Sequence, residues 1–256
     1  MKLTVLGCSG SVPAPGNPSS GYLVEADGYR LVVDLGHGAY GELQRYVDPA
    51  SVDAIILSHL HADHCIDLVA YIVGLRFGGP GFAQDAGRRI PIIGPSGTRG
   101  RLEAAYDPLA KKLGLHELFS FGTPQDVTER RTMELGPFAL TFATMNHPVP
   151  TSAVRIGHGG SSLVYSADTG ESDALVSLAD GADTLLCEAS FGPDEDVPNL
   201  HLNGRQAGEH AARSGVGSLI VTHVPPWLNP DDQLTDAATA FSGKVELARR
   251  GTVFDL

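Results

Sequence analysis

The chain has 256 residues, 42% of them hydrophobic and 19% charged, with a formal net charge of -12. That length and balance suit one soluble α/β-type domain with room for a two-sheet core, and they exclude a disordered chain. The acidic balance argues against a general binder of phosphate backbones, which needs clustered Lys and Arg.

The first seven residues, Met1-Lys2-Leu3-Thr4-Val5-Leu6-Gly7, read directly as a strand, with one Lys and no apolar stretch of signal-peptide length. No run reaches the ~18 apolar residues of a membrane span, so a cytoplasmic protein is expected. Strands are expected over residues 3–6, 22–26, 30–34 and 52–57, with Asp27-Gly28 as a hairpin turn. An apolar helical face follows over 66–77 and is stopped by Gly78-Gly79-Pro80-Gly81. Residues 91–94 read as a short strand, Ser96 can cap a helix reaching to about 113, and 120–131 is poorly patterned. Strands return over 138–144, 151–156 and 162–167. Then come a strand at 183–188, a helix at 204–214, a strand at 217–222, a helix at 231–241 and short strands. With no linker or repeat, one domain over 1–256 is expected. Hairpins, then strand-helix units, then the same again, suggest two similar halves, each a mixed sheet with helices outside, packed face to face.

The densest chemistry is His59-Leu60-His61-Ala62-Asp63-His64, directly after the strand-like Ala54-Ile55-Ile56-Leu57-Ser58. Neutral imidazole and carboxylate suit zinc or a similar divalent ion. A turn leaving a buried strand can aim His59 and His61 at one spot, and Asp63 and His64 at another. His147, Asp168 and His223 each stand where an apolar strand gives way to a turn, the place where sheet proteins present chemistry. Singly each is an ordinary cap or surface residue. Together they complete two sets: His59, His61 and His147 on one ion, Asp63, His64 and His223 on the other, with Asp168 bridging. The cysteines, Cys8, Cys65 and Cys187, form no C-x-x-C pair and read as reduced thiols, Cys65 as a buried structural one.

These residues resemble the metallo-β-lactamase superfamily, over nearly the whole chain from Asp34 in Val32-Val33-Asp34-Leu35-Gly36 to His223. The resemblance implies an α/β fold: an αββα sandwich of two mixed sheets with helices outside and a two-metal site at its edge. It implies that Asp34 orients ligands; a turn acid is the alternative. Cys187-Glu188-Ala189-Ser190 and His201-Leu202-Asn203-Gly204-Arg205-Gln206-Ala207-Gly208 are similar to the ribonuclease Z branch, where such a Glu and His assist phosphodiester cleavage. Val5-Leu6-Gly7-Cys8-Ser9-Gly10-Ser11, Leu57 to Cys65 and Thr222-His223-Val224-Pro225-Pro226-Trp227 resemble more closely the actinobacterial cyclic-nucleotide phosphodiesterases of that branch. Two features depart from ribonuclease Z: no Lys/Arg-rich insertion is present, and Val-Pro-Pro-Trp-Leu-Asn-Pro follows His223.

The expected activity is therefore metal-dependent hydrolysis of 3′,5′-cyclic nucleotides, cyclic AMP first, to 5′-nucleotides. Processing of tRNA 3′ ends is the alternative. Two divalent ions are expected, zinc ahead of manganese or iron, and they would activate a water near neutral pH. Asp63 is expected to orient the nucleophile, and His201, held near Glu188, to supply a proton to the leaving oxygen. The expected partner is a small cyclic nucleotide, without nucleic acid or membrane, and the resemblance implies a homodimer. Among further residues, Gly7-Cys8-Ser9-Gly10-Ser11 offers a tight turn or backbone N–H groups for a phosphate. Trp227, the single Trp, is expected either to stack on a base or to pack. His37, His116, His158 and His210 are expected on the surface, and Glu129-Arg130-Arg131 in a solvated turn.

Overall fold

A computed structural model describes residues 1–78, 89–106, 118–124, 132–195 and 197–256. Its first half opens with the antiparallel strands β1 (Lys2–Gly7), β2 (Gly21–Ala26) and β3 (Tyr29–Leu35), then helix α1 (Ala39–Leu43) and strand β4 (Ala54–Ile56). Helices α2 (Ala62–Cys65) and α3 (Leu68–Phe77) lead to β5 (Ile90–Ile93), α4 (Thr98–Tyr106) and β6 (Phe119–Gly122). The second half repeats this plan. A meander of β7 (Met133–Leu135), β8 (Phe138–Thr144), β9 (Ser152–His158) and β10 (Ser161–Tyr165) precedes α5 (Asp173–Ala179) and β11 (Thr184–Glu188). Then follow α6 (Gly204–Ser214), β12 (Ser218–Thr222), α7 (Pro230–Ala240), β13 (Lys244–Leu247) and β14 (Val253–Asp255).

The strands form two seven-stranded sheets, ordered β14-β1-β2-β3-β4-β5-β6 and β13-β12-β11-β10-β9-β8-β7. Period-2 alternation decides which side chains meet. In β3, Leu31 and Val33 enter the core between the sheets with Phe138, Ile156, Leu163, Leu186 and Ile220. Val32 faces the other way, onto Leu68, Tyr71 and Ile72 beneath α3, and Leu35 joins it because the left-handed φ of +57° at Asp34 breaks the alternation. The second sheet does the same, with Leu185, Leu219 and Val221 covered by Leu175, Ala207, Ala211 and Ala237 of the outer helices. This is the helix-sheet-sheet-helix sandwich expected from the sequence. No helix among the described residues is long and apolar enough to cross a membrane.

Several details differ from the sequence reading. The helix expected over 66–77 begins earlier, inside the His-rich motif as α2, and resumes as α3 after Asp67. Helix α5, capped by the Ser172 side chain on the Leu175 N–H, was not foreseen, nor was β6 in the poorly patterned stretch. The final strand β14 returns to pair with β1, which joins the chain's end to its first sheet. Gly79-Pro80-Gly81, the end of the helix expected to reach 113, His116 and Glu129-Arg130-Arg131 lie outside the described residues.

Helix α6 has the bounds expected, and its cause is visible. Asn203 and Gln206 form a reciprocal capping box, and Gly215 closes the helix at φ +63°. Gly204 and Gly208 bring α6 against α7: a Cβ on Gly208 would collide with the Ala237 carbonyl oxygen and lie 3.0 Å from the Ala240 Cβ. Gly208→Ala improves helix propensity by about 1 kcal/mol in the abstract. Here the obstacle is backbone, and overpacking costs about 1–3 kcal/mol. Calorimetry is expected to show a melting temperature lower by about 2–8 °C; an unchanged or raised value would refute this packing.

Candidate metal centre

One edge of the sandwich collects the polar strand ends. β3 and β4 are parallel, as are β10, β11 and β12, and β8 runs with β10 because β9 opposes both. The carboxyl ends of these strands therefore emerge together. His59, His147 and Asp168 each stand three residues past β4, β8 and β10, Glu188 closes β11, and His223 directly follows β12. Asp34, Ala167 and His223 hold φ values of +57°, +54° and +57°. Left-handed backbone at a non-Gly residue costs about 1–2 kcal/mol. Three such residues at one edge turn the chain abruptly enough to aim its side chains at one place.

All seven residues expected to bind metal meet there, in two groups that share Asp168. His59, His61, His147 and Asp168 bring one donor atom each within 4.8 Å of one another, and so do Asp63, His64, Asp168 and His223. The inward nitrogens are close: His59 Nε2 to His61 Nδ1 3.0 Å, His61 Nδ1 to His147 Nε2 3.2 Å, and His64 Nε2 to His223 Nε2 3.0 Å. Nitrogens on a tetrahedral zinc at 2.0–2.1 Å stand about 3.3 Å apart, so this spacing fits an ion between them.

The outer nitrogens explain why the inner ones are free to ligate. His64 Nδ1–H donates to Asp34 Oδ2 at 2.8 Å, and His147 Nδ1–H to the Leu200 carbonyl at 3.0 Å. His59 Nδ1–H donates to Ser58 Oγ at 3.0 Å, and His223 Nδ1–H to Ser190 Oγ at 2.7 Å. Each bond fixes the tautomer, leaving a lone pair on Nε2 that faces the cluster. Asp34 accepts four hydrogen bonds in all, from the Ser58 N–H and hydroxyl at 2.7 Å each, His64, and the Tyr165 hydroxyl at 2.9 Å. It is fully buried and orients ligands, not a surface turn acid.

The electrostatics fit a cation as well. Burial pushes His59, His61 and His147 below the ordinary imidazole value, towards the neutral, ligating form. Burial opposes charge on His64 too, but Asp168 and Asp34 outweigh it and raise its pKa. Asp63 and Asp168 resist their own burial and are held below the carboxylate range, Asp63 by His223 and His64, Asp168 by His223, His64 and His59. Carboxylates so placed call for positive charge between them. Asp168 Oδ1 is buried without a hydrogen-bond partner in the middle of the donor set. The residues fit a pair of divalent ions.

Beside the second cluster lies the other expected pair. His201 Nδ1 is 3.0 Å from Glu188 Oε1, and that oxygen also accepts the Thr169 N–H at 2.7 Å. Burial disfavours charge on His201, but the Glu188 carboxylate overcomes it and pushes the pKa up to about 9. His201 thus keeps its proton at neutral pH. The sequence reading passed over Ser58, Tyr165 and Ser190, hydroxyls that look like turn or strand residues until their partners arrive from elsewhere. Cys65 is buried as expected, Cys8 and Cys187 are buried as well, and burial pushes Cys8 and Cys65 up to about 11.

Other expectations are corrected. His210 is 1% exposed: its Nε2 accepts the Ser172 N–H and its Nδ1–H donates to the Gln206 carbonyl. His158 is half-buried against Asp27, and His37 is half-buried. Of the two readings of the loop after β1, the tight turn holds: the N–H groups of Cys8, Ser9 and Gly10 are bonded within the chain, to Asn17, Pro18 and Val224. Trp227 is 63% exposed.

Residues 29–224 match the family model described as the beta-lactamase superfamily domain. The chain belongs to this family, and its fold and donor set are those of a metallo-hydrolase of that fold. It is 41% identical to an uncharacterized protein of Mycobacterium leprae, over all of this chain and 89% of that protein. It is 32% identical to the probable metallo-hydrolase YhfI of Bacillus subtilis, over 100% of both chains. The YhfI crystal structure superposes with a TM-score of 0.85, covering 99% of this chain and 98% of that one. Ribonuclease Z of Mycobacterium bovis is 31% identical over 96% of this chain and 95% of that protein.

Asp34→Asn keeps the shape of the side chain but removes the charge that holds the His64 ring. Loss of such a partner is expected to weaken metal binding about 10–100-fold. Titration against a competing chelator measures it, and unchanged affinity would contradict the role given to Asp34.

Proposed function

We propose that this site hydrolyses 3′,5′-cyclic nucleotides, cyclic AMP first, to 5′-nucleotides. The observation that carries the reading is His201, its Nδ1 3.0 Å from Glu188 Oε1, beside two donor clusters that share Asp168. Opening a cyclic phosphodiester leaves a ribose oxygen that must take up a proton, and His201 is the group placed to give it. His59, His61 and His147 would hold one divalent ion, Asp63, His64 and His223 the second, with Asp168 serving both. Zinc suits these donors, as do manganese and iron. Bound ions would supply Lewis acidity to the phosphate oxygens and a water of lowered pKa.

The chain's own groups do the rest. Asp63 contacts both His64 and His223 through Oδ2, which leaves Oδ1 to accept a hydrogen bond from the attacking water and so orient it. Glu188 keeps the proton on His201 and its ring in place. Thr169 fixes the Glu188 carboxylate in turn.

A small substrate is supported by the charge of -12. Arg213, Arg249 and Arg250 are engaged by Asp173, Asp231 and Glu42 and form no open basic track. The likeness to ribonuclease Z supports phosphodiester chemistry and gives a second reading, cleavage of RNA. A homodimer belongs to the same proposal, on the resemblance alone.

Cyclic AMP, cyclic GMP, a 2′,3′-cyclic nucleotide and precursor tRNA should be assayed side by side on one preparation of known metal content. Fastest turnover of 3′,5′-cyclic AMP is expected; faster cutting of tRNA would replace this reading with the second. His201→Ala is expected to lower kcat about 10²–10⁴-fold while metal content stays at two ions per chain. Metal loss in parallel with activity, or unchanged turnover, would remove His201 from the role.

A further inference from the structure

Trp227 is the single tryptophan of the chain, and its ring is left 63% exposed. A large aromatic side chain held in water forfeits the burial that ordinarily repays it, so its surroundings matter. The residue sits four positions after His223, in a tight turn that the Leu228 N–H closes on the Pro225 carbonyl at 3.0 Å. The neighbouring loop is tied to the same segment, because the Gly10 N–H donates to the Val224 carbonyl at 3.2 Å. Trp227 therefore rides on a short, braced turn that directly follows the donor His223.

A second aromatic stands on a neighbouring segment. Phe191 is half-buried, and its ring meets His201 edge-on, centroids 5.3 Å apart at 90°. The two loops touch where a Cβ on Gly192 would lie 3.7 Å from Leu228 Cδ2. Phe191 and Trp227 thus flank one contact between the loop that carries His201 and the turn that follows His223. Two touching segments, one beside His201 and one directly after His223, each carry an aromatic residue, suited to a flat and uncharged part of a substrate.

We infer that the turn bearing Trp227 is the subsite for the heteroaromatic base of a nucleotide substrate, with Phe191 as its inner wall beside His201. The inference rests on the cyclic-nucleotide reading and adds to it the residue that sets preference for substrates carrying a base. Stacking on an indole tolerates every base, because each has a π-face, so the subsite favours a nucleoside without choosing strongly among purines. It acts on binding more than on chemistry, since Trp227 is no part of the donor set or of the His201–Glu188 pair.

The single Trp makes the test direct. With the metal-loaded protein, 5′-AMP is expected to quench Trp fluorescence in a saturable way, and ribose 5-phosphate is not. Trp227→Ala is expected to raise KM for cyclic AMP 10-fold or more with kcat changed less than about threefold. Trp227→Phe should recover most of the affinity. KM for a base-free methyl riboside 3′,5′-cyclic phosphate should not move in either variant. Because the side chain is exposed, the melting temperature should stay as in the wild type. Turnover of cyclic AMP by the wild type tests the underlying reading by itself: its absence ends that reading. Turnover with no quenching, or a Trp227→Ala variant that treats both substrates alike, overturns the base subsite and leaves the reading standing. A dimer that dissociates on Trp227→Ala, seen by light scattering, with KM unchanged, would assign the ring to a second copy and also overturn it.

Discussion

A buried carboxylate, Asp34, organises this edge of the molecule. An ionised carboxyl group removed from water is costly unless donors surround it, and truncating one partner leaves the other uncompensated. Asp34 gathers its donors from three directions: the Ser58 backbone and hydroxyl at the end of β4, the His64 ring on α2, and the Tyr165 hydroxyl from the opposite sheet. The sheets are thereby joined at the point where the site must be rigid. Tyr22, whose ring lies 5.1 Å from Tyr165, adds a second tie through a 2.7 Å hydrogen bond to Thr222. The Ser152 N–H bonded to the Ser58 carbonyl adds a third. Each tie ends within a residue or two of a metal-capable side chain.

That rigidity explains how a strained backbone persists. Asp34, Ala167 and His223 occupy left-handed conformations that a free chain would abandon. Around His223, the Ser190 hydroxyl donates to the carbonyl while accepting from the ring, so one side chain holds both backbone and imidazole. The strain is local and the restraint comes from strands packed on both faces. Donors set in advance at ligand spacing lower the ordering cost when a cation arrives, and the same frame keeps His201 and Glu188 in register beside it.

Much of this was legible in the sequence because the signals are local or periodic. The six-residue motif is contiguous, and each distant ligand stands where an apolar run stops. The two halves show as repeated orders of hairpins and strand-helix units, and α6 is announced by Asn203 and Gln206. What escaped the sequence depends on partners remote in the chain. Ser58, Tyr165 and Ser190 have ordinary strand-end surroundings, and their roles arise from residues as far as 131 positions away. His210 reads as a surface residue on a polar helix until Ser172, from a different loop, is bonded to its ring. Helix α5 has a single turn of strong apolar pattern, Leu175 and Leu178, too short to stand out by period alone. β14 is three residues long and is specified by its pairing to β1.

The central claim is that two cations share one carboxylate at this edge. The most direct measurement is anomalous X-ray diffraction at the zinc absorption edge, on crystals of protein purified with zinc. The account predicts two peaks, one among His59, His61 and His147 and one among Asp63, His64 and His223, with Asp168 touching both. No peak at these positions, or a single ion bound elsewhere on the chain, would contradict it.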